Sequence, residues 1–128
     1  MGKTSGGETL TREDCLHLLA GADLARVVLS VRALPVALPA RIALTSDGHL
    51  LLASNEEAVV LAARRGDVIS VQIDGLEPDG STWSVMVSGI ASLAVVTEEL
   101  RASMHHALEH GATLYAMPLS VLSGQRGN

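Results

Sequence analysis

The chain has 128 residues, enough for one domain with its own apolar core. Its formal net charge of −5 and its single lysine, Lys3, exclude the clustered positive charge that nucleic acids and anionic membranes attract, so neither is expected as a partner. Apolar residues make up 48% of the chain and aromatic residues only 2%, so the core is predicted to consist of Leu, Val, Ile and Ala side chains.

The sequence gives no sign of membrane insertion or export. Its apolar runs are all shorter than the roughly 18 residues that a membrane-spanning helix requires. The first residues lack the order of basic, apolar and small segments that defines a signal peptide. We therefore expect a cytoplasmic protein with no membrane segment.

The N-terminal part predicts a tail and then a helix. Residues 1–9 are predicted to be a disordered tail, and residues 10–126 a single domain. Thr11 is predicted to cap a helix over residues 11–20, because acidic residues follow it in the first turn and apolar residues recur at helical spacing. Cys15 belongs to this apolar stripe, and we expect it in the core rather than as a nucleophile.

Three strands are predicted next. Residues 26–31 are β-branched and short, and residues 34–44 contain Pro35 and Pro39. Because proline cannot donate to a strand ladder, this second strand is predicted to lie at an edge or to be bulged. Asp47 and Gly48 predict a tight hairpin turn, after which residues 49–54 pair back as the third strand.

The second half predicts a helix, two strands, a helix and a last strand. In order these cover residues 56–65, residues 67–74, residues 82–96 with a bend at Gly89, a helix from Thr97 to about His110, and residues 114–122. Connections of hairpin length predict antiparallel pairing in a small, mainly β barrel with peripheral helices. Several strands are apolar on both faces, so a second subunit is expected to cover one face in a homodimer.

Four segments, in this order and spacing, resemble the pyridoxamine 5'-phosphate oxidase-like family of FMN-binding split barrels. They are LPVALPARIALTSDGHLLLAS, VISVQIDGLEPDG, DGSTWSVMVSGIASLAV and PLSVLSGQR, and the likeness extends over about residues 10–126. The resemblance implies a six-stranded antiparallel split barrel and a homodimer with FMN or a deazaflavin between its subunits. It also implies oxidoreductase chemistry on a small molecule, in which the cofactor supplies the reactive atom.

The resemblance also implies six cofactor-binding residues. Arg41 matches the family's arginine at the end of the second strand, on the phosphate side of the flavin. Ser54 and Asn55 resemble the Thr-Asn pair that closes the third strand. Ser84 corresponds to the strand residue that bonds the flavin ring. The set is completed by Trp83, beside Ser84, and by Arg126, near the end of the chain.

These candidates have structural alternatives. Arg41 could form a salt bridge at the rim, Ser84 could be a hydrogen-bonded core hydroxyl, and Trp83 could pack at the dimer interface instead of stacking on a flavin. His106 and His110 have the i,i+4 spacing of zinc ligands, but no third ligand lies nearby in the sequence. No metal site is therefore predicted.

The sequence departs from the family at the phosphate-binding positions. Residues 58–60, Ala-Val-Val, replace the expected cations, and Glu56 and Glu57 occupy a helix start where they would repel a phosphate. Two hypotheses stay open: a flavin-dependent oxidoreductase, and a relative without flavin that serves as a dimeric binding or structural module. Because no Ser-His-Asp or Cys-His order is present, the sequence identifies no catalytic residue.

Overall fold

A computed structural model describes residues 7–127 as one curled antiparallel sheet with four short helices. In chain order the elements are β1 Glu8–Thr9, α1 Arg12–Ala20, β2 Leu24–Val31, β3 Leu34–Leu44, β4 His49–Ser54, α2 Glu57–Arg65, β5 Val68–Leu76, β6 Thr82–Ile90, β7 Ser92–Leu93, α3 Glu98–Ser103, α4 His105–Glu109, β8 Thr113–Pro118 and β9 Val121–Gly127. The strands neighbour one another in the order β1-β9-β6-β5-β2-β3-β4-β8-β7. This mainly β half-barrel with peripheral helices confirms the predicted split-barrel fold.

The sheet has nine strands in the described part of the chain, where six were predicted. One of the three additional strands is β1, in which Glu8 and Thr9 pair with β9. Glu8 and Thr9, which were predicted to belong to a disordered tail, therefore form a strand, and the predicted tail residues 1–6 lie outside the described residues. The second additional strand is β7, which arises because β6 stops at Ile90 and the chain forms a new strand from Ser92. The break is at Ala91 and not at the predicted Gly89, which stays in register opposite Ile69.

The third additional strand comes from the end of the chain. The predicted strand over residues 114–122 is two strands, β8 and β9, separated by Leu119 and Ser120. Strand β8 pairs with β4 and β7, whereas β9 pairs with β6 and β1 at the other end of the strand order. The break thus lets one continuous segment join the two ends of the curled sheet.

Strand β3 lies between β2 and β4 although it contains two prolines. Both fall in its first half, which pairs only with β2, because pairing with β4 begins at Arg41. The β2–β3 turn has two residues of positive φ, so Val31 and Leu34 form the hydrogen-bonded closing pair. By alternation Pro35 and Pro39 occupy positions that do not donate to β2. The predicted edge position is therefore right for the first half of β3 and wrong for the second.

The inner face of the sheet encloses the main core. Helix α1 begins at the predicted cap, where the Thr11 hydroxyl accepts from the Asp14 N–H in a capping box. Its inward residues, Cys15 and Leu19, are buried, as predicted for Cys15. Helix α2 contributes Val59 and Ala62 to the same core and ends at Gly66 in the left-handed conformation. These two helices close the inside of the half-barrel.

A second, smaller core covers part of the outer face. Thr97 caps α3 as predicted, but the predicted single helix is divided at Met104 into α3 and α4. Met104 packs with Leu51 and Leu114, which lie on the outer faces of β4 and β8. No helix among residues 7–127 is long and apolar enough to cross a membrane.

The outer faces of β2, β5, β6 and β9 carry no such cover in the described part of the chain. Val68 is 66% exposed and Val121 is 61% exposed. Between them the Ser70 and Ser88 hydroxyls hydrogen-bond to each other, with 2.7 Å between the two oxygens. We call this bare area the open face.

A substitution at Gly124 can test how closely α1 packs against β9. An added Cβ would lie 2.7 Å from the Cys15 Sγ and 3.1 Å from the Ser84 carbonyl oxygen. We expect Gly124→Ala to lower the free energy of unfolding by about 1–3 kcal/mol in urea titrations. Gly89→Ala is the control, because its nearest neighbours are 3.7 Å or more away. Equal stability of the two variants would contradict the tight contact.

Candidate functional site

The six predicted site residues fall into two groups in the structure. Arg41, Ser54 and Asn55 line one hollow between β3 and α4, and Trp83, Ser84 and Arg126 line a cleft at the ends of β5, β6 and β9. We call these the β3–α4 hollow, of about 320 Å³, and the β5–β6 cleft, of about 620 Å³.

A third hollow connects the two groups. The β2–β5 hollow has a volume of about 290 Å³ and shares Leu24 and Pro39 with the β3–α4 hollow. It shares Asp74 with the β5–β6 cleft. The three hollows therefore adjoin one another across β3, β2, β5 and β6, and together we call them the outer groove. All six candidate residues line it.

Arg41 supplies positive charge to the β3–α4 hollow. Its Nε donates to the Asp23 carbonyl oxygen at 3.0 Å, which fixes the direction of the side chain. Its two Nη groups have no hydrogen-bond or salt-bridge partner among residues 7–127. The alternative of a rim salt bridge to a carboxylate is therefore not what the structure shows, and the Nη groups remain available to an anion.

Ser54 and Asn55 lie where β4 runs into α2. Ser54 is 5% exposed, and its hydroxyl oxygen accepts from the Glu56 N–H at 3.1 Å. This bond satisfies one of the free donors at the start of α2, and the hydroxyl proton stays available to another acceptor. The Asn55 side chain is exposed beside it. The Glu56 carboxylate also belongs to this hollow and opposes an anion there.

The segment that replaces the family's cations does not reach the outer groove. Val59 is fully buried in the main core. Ala58 and Val60 line two other depressions, and none of the three residues lines a hollow that Arg41 lines.

Trp83 forms one wall of the β5–β6 cleft. Its indole covers Gly75 on the neighbouring strand so closely that a Cβ on Gly75 would lie 2.6 Å from the ring. Trp83 also packs against the main core. Ser84 follows it, alternates with the buried Val85, and has no hydrogen-bond partner for its hydroxyl in the described part of the chain. A buried, satisfied core hydroxyl is therefore not its role.

Arg126 is held by two carboxylates. Its Nη1 donates to Glu8 at 2.8 Å, and its Nε donates to Glu77 at 3.1 Å. These bonds, first to Glu8 and then to Glu77, raise the pKa of Arg126 above its usual value. The guanidinium thus ties β1 and the β5–β6 turn to β9, and its charge is offset before any ligand arrives.

The structure also places two residues that the sequence did not predict at this site. His106, on α4, and His110, which directly follows α4, line the β3–α4 hollow with Arg41. Their i,i+4 spacing was visible in the sequence, but their neighbourhood depends on the packing of α4 against β4. No group of three His, Cys, Asp or Glu suitable for a metal exists among the described residues.

Other candidate positions lie apart from the groove. Burial raises the pKa of the Cys15 thiol, which opposes the thiolate form that a nucleophile needs. A separate cavity of about 410 Å³ lies between α2, β7 and β8, lined by Val60, Leu93 and Tyr115 among others. None of the six candidate residues lines it.

The family model described as pyridoxamine 5'-phosphate oxidase matches residues 11–119 of this chain. The match covers most of the sequence and includes β2, β3, β5 and β6 of the outer groove, whereas β9 lies outside it. The chain therefore belongs to the pyridoxamine 5'-phosphate oxidase family, as the resemblance of its segments predicted.

One sequence relative and two solved structures are similar to this chain, and the structures agree with its fold. The chain is 37% identical over 89 residues to Rv0080, an uncharacterized protein of Mycobacterium tuberculosis, and the match spans 65% of this chain and 58% of the relative. An FAD-binding protein from Mesorhizobium loti is similar in structure, with a TM-score of 0.75, 20% identity, and coverage of 96% of this chain and 99% of its own. An FAD-binding protein from Mycobacterium smegmatis has a TM-score of 0.71 and 17% identity, covering 96% of this chain and all of its own.

The contact between Trp83 and Gly75 gives a test of the cleft. In Gly75→Ala the new methyl group would displace the indole, because its nearest ring atoms lie at 2.6 and 2.8 Å. We expect the emission of Trp83, the only tryptophan, to shift to longer wavelength, with a loss of about 1–2 kcal/mol in unfolding free energy. An unchanged emission spectrum in a folded Gly75→Ala protein would show that the indole does not cover the strand.

Proposed function

We propose that the outer groove binds a flavin and that the protein is a flavin-dependent oxidoreductase acting on a small molecule. The observation that carries this is the row of three adjoining hollows, which begins at Arg41, whose Nη groups have no partner among residues 7–127, and ends at the cleft lined by Trp83. A flavin nucleotide has the matching order of groups, with an anionic phosphate at one end and a flat aromatic ring at the other.

Family membership and the named ligands of the two similar structures support a flavin over other elongated anions. Those structures are described as FAD-binding, whereas the sequence predicted FMN or a deazaflavin. All three share the ring, the ribityl chain and a phosphate, which are the parts that the groove would hold. Titration of the protein with FMN, FAD and a deazaflavin would show which of the three it binds.

The protein's own side chains would bind and orient the cofactor. Arg41 would pair with phosphate through its Nη groups, and the Ser84 hydroxyl would donate to a polar atom of the ring. Trp83 would pack against the ring and exclude water. A bound flavin supplies the hydride chemistry, so no side-chain acid or nucleophile is required in the groove.

A second copy of the chain would complete the site. The open face exposes apolar side chains at the starts of β5 and β9, two strands whose other ends line the outer groove. Burying such a face on an identical one removes apolar surface from water and would roof the groove at the same time. We therefore infer a homodimer with the flavin at the seam. The proposed substrate remains a small molecule and the proposed location the cytoplasm.

The competing function is a dimeric binding or structural module without flavin. Glu56 in the β3–α4 hollow favours it, since a carboxylate there repels phosphate. Titration of the purified chain with FMN, FAD, a deazaflavin and riboflavin separates the two. Saturable binding of any of these ligands supports the flavoprotein. If none of them saturates the protein at high micromolar concentration, the binding or structural module without flavin is the function that remains.

Arg41→Gln tests the phosphate contact. We expect it to weaken FMN binding by about tenfold or more, the equivalent of about 1.4 kcal/mol, and to leave riboflavin, which lacks the phosphate, nearly unaffected. Arg32→Gln is the matched control, because Arg32 lies at the β2–β3 turn outside the outer groove. The flavin fluorescence titration reports each affinity. If the two substitutions changed the FMN affinity equally, Arg41 would have a structural role and no contact with the phosphate.

Val121→Asp tests the role of the open face. The residue is exposed in one chain, so the fold should tolerate a carboxylate, but a charge at the seam would separate two copies. We expect a dimer for the unmodified protein and a monomer with weakened flavin binding for the variant, measured by sedimentation velocity. Leu93→Asp, at an equally exposed aliphatic residue on β7, should stay dimeric. A monomeric unmodified protein would contradict the homodimer.

A further inference from the structure

The two histidines of the β3–α4 hollow form a close pair. The imidazole centroids of His106 and His110 lie 4.2 Å apart, with the ring planes at 32°. Both rings line the hollow into which Arg41 points. In a chain with a net charge of −5 and nine Lys and Arg in total, three basic side chains are thus concentrated at one end of the outer groove.

The hydrogen bond of His110 fixes which of its nitrogens faces a ligand. Its Nδ1 lies 2.8 Å from the carbonyl oxygen of His106. Because a carbonyl oxygen can only accept, Nδ1 carries the proton, and Nε2 is the nitrogen that remains. In the neutral ring Nε2 presents a lone pair, which repels an anion. Only the protonated ring offers an N–H there.

With both rings of this pair protonated, the hollow would hold more positive than negative charge. The titratable and charged groups that line the hollow are Arg41 from β3, Glu56 from the start of α2, and the two histidines. Glu109, on α4, is already paired with His105. Two imidazolium rings would repel each other and the Arg41 guanidinium, and the single carboxylate of Glu56 would offset only part of this repulsion. A phosphate monoester, with a charge of about −1.5 to −2, offsets the remainder.

The opposite end of the outer groove is less suited to a phosphate. Arg126 is bonded there to Glu8 and Glu77, and Asp74 lines the same cleft. The difference in available positive charge between the two ends therefore sets the direction in which an anionic ligand lies in the groove.

We propose that His106 and His110 bind the phosphate of the flavin nucleotide together with Arg41, and that His110 takes up a proton as the phosphate binds. This inference rests on the proposed flavin function and adds to it the orientation of the ligand and a dependence of its affinity on pH. The two histidines replace the cations that the family carries elsewhere and that residues 58–60 lack.

The experiment compares three substitutions of neighbouring histidines in the full chain. His106→Gln and His110→Gln remove the rings that line the hollow. His105→Gln removes a ring on α4 that pairs with Glu109 and does not line the hollow. Each protein is titrated with FMN and with riboflavin at about pH 6.5 and about pH 8.5, a range over which imidazoles change charge. The ratio of the two affinities isolates the phosphate, the only difference between these ligands.

We expect the preference of the unmodified protein for FMN over riboflavin to fall as the pH rises. The phosphate itself gains negative charge with pH, which acts in the opposite direction, so a falling preference must come from the protein. His110→Gln should reduce the preference by about tenfold at the lower pH, the scale of one charge-assisted hydrogen bond, and remove most of its pH dependence. His106→Gln should reduce it as well, and His105→Gln should follow the unmodified protein.

Calorimetry in two buffers of different ionisation enthalpy gives an independent readout, because we expect proton uptake with FMN and none with riboflavin. If His106→Gln and His110→Gln leave the preference unchanged, or if His105→Gln reduces it equally, the inference is overturned while riboflavin binding leaves the proposed function intact. If the unmodified protein binds neither ligand, both are overturned.

Discussion

A single curled sheet has two faces to bury, and this chain buries only one of them completely. Helices α1 and α2 fill the inside, whereas α3 and α4 cover the outside of β4 and β8 alone. The boundary between covered and uncovered sheet runs beside β3, and the outer groove begins there, against α4. The groove and the open face are thus consequences of one uneven distribution of helices, and the proposed second copy would cover the face that the helices leave bare.

The two ends of the groove differ in available charge, and this difference gives the site its direction. At one end the Nη groups of Arg41 have no partner in the part of the chain that the structure describes, and two histidines line the same hollow. At the other end the charge of Arg126 is offset by two carboxylates, and the indole of Trp83 provides an apolar wall. A ligand with an anionic tail and an aromatic head matches this order in only one orientation.

Local signals predicted much of the fold, and long-range contacts account for what they missed. The cap at Thr11 and the helix end at Gly66 depend on neighbouring residues, so they could be predicted. The division of the last strand at Leu119 depends on pairing with both ends of the sheet, which local patterns do not contain. The six site candidates came from family resemblance and stay predictions, whereas the position of His106 and His110 in the same hollow as Arg41 depends on long-range packing and could not be predicted.

The most direct measurement of where a flavin binds is the set of nuclear Overhauser effects between ring protons of the ligand and side chains of the protein. We expect contacts from the ring to the Trp83 indole, with shifts of the Arg41 and His110 resonances at the phosphate end. Contacts to Tyr115 and Leu93 in the separate cavity, with the outer groove unchanged, would contradict the assignment of the groove as the flavin site.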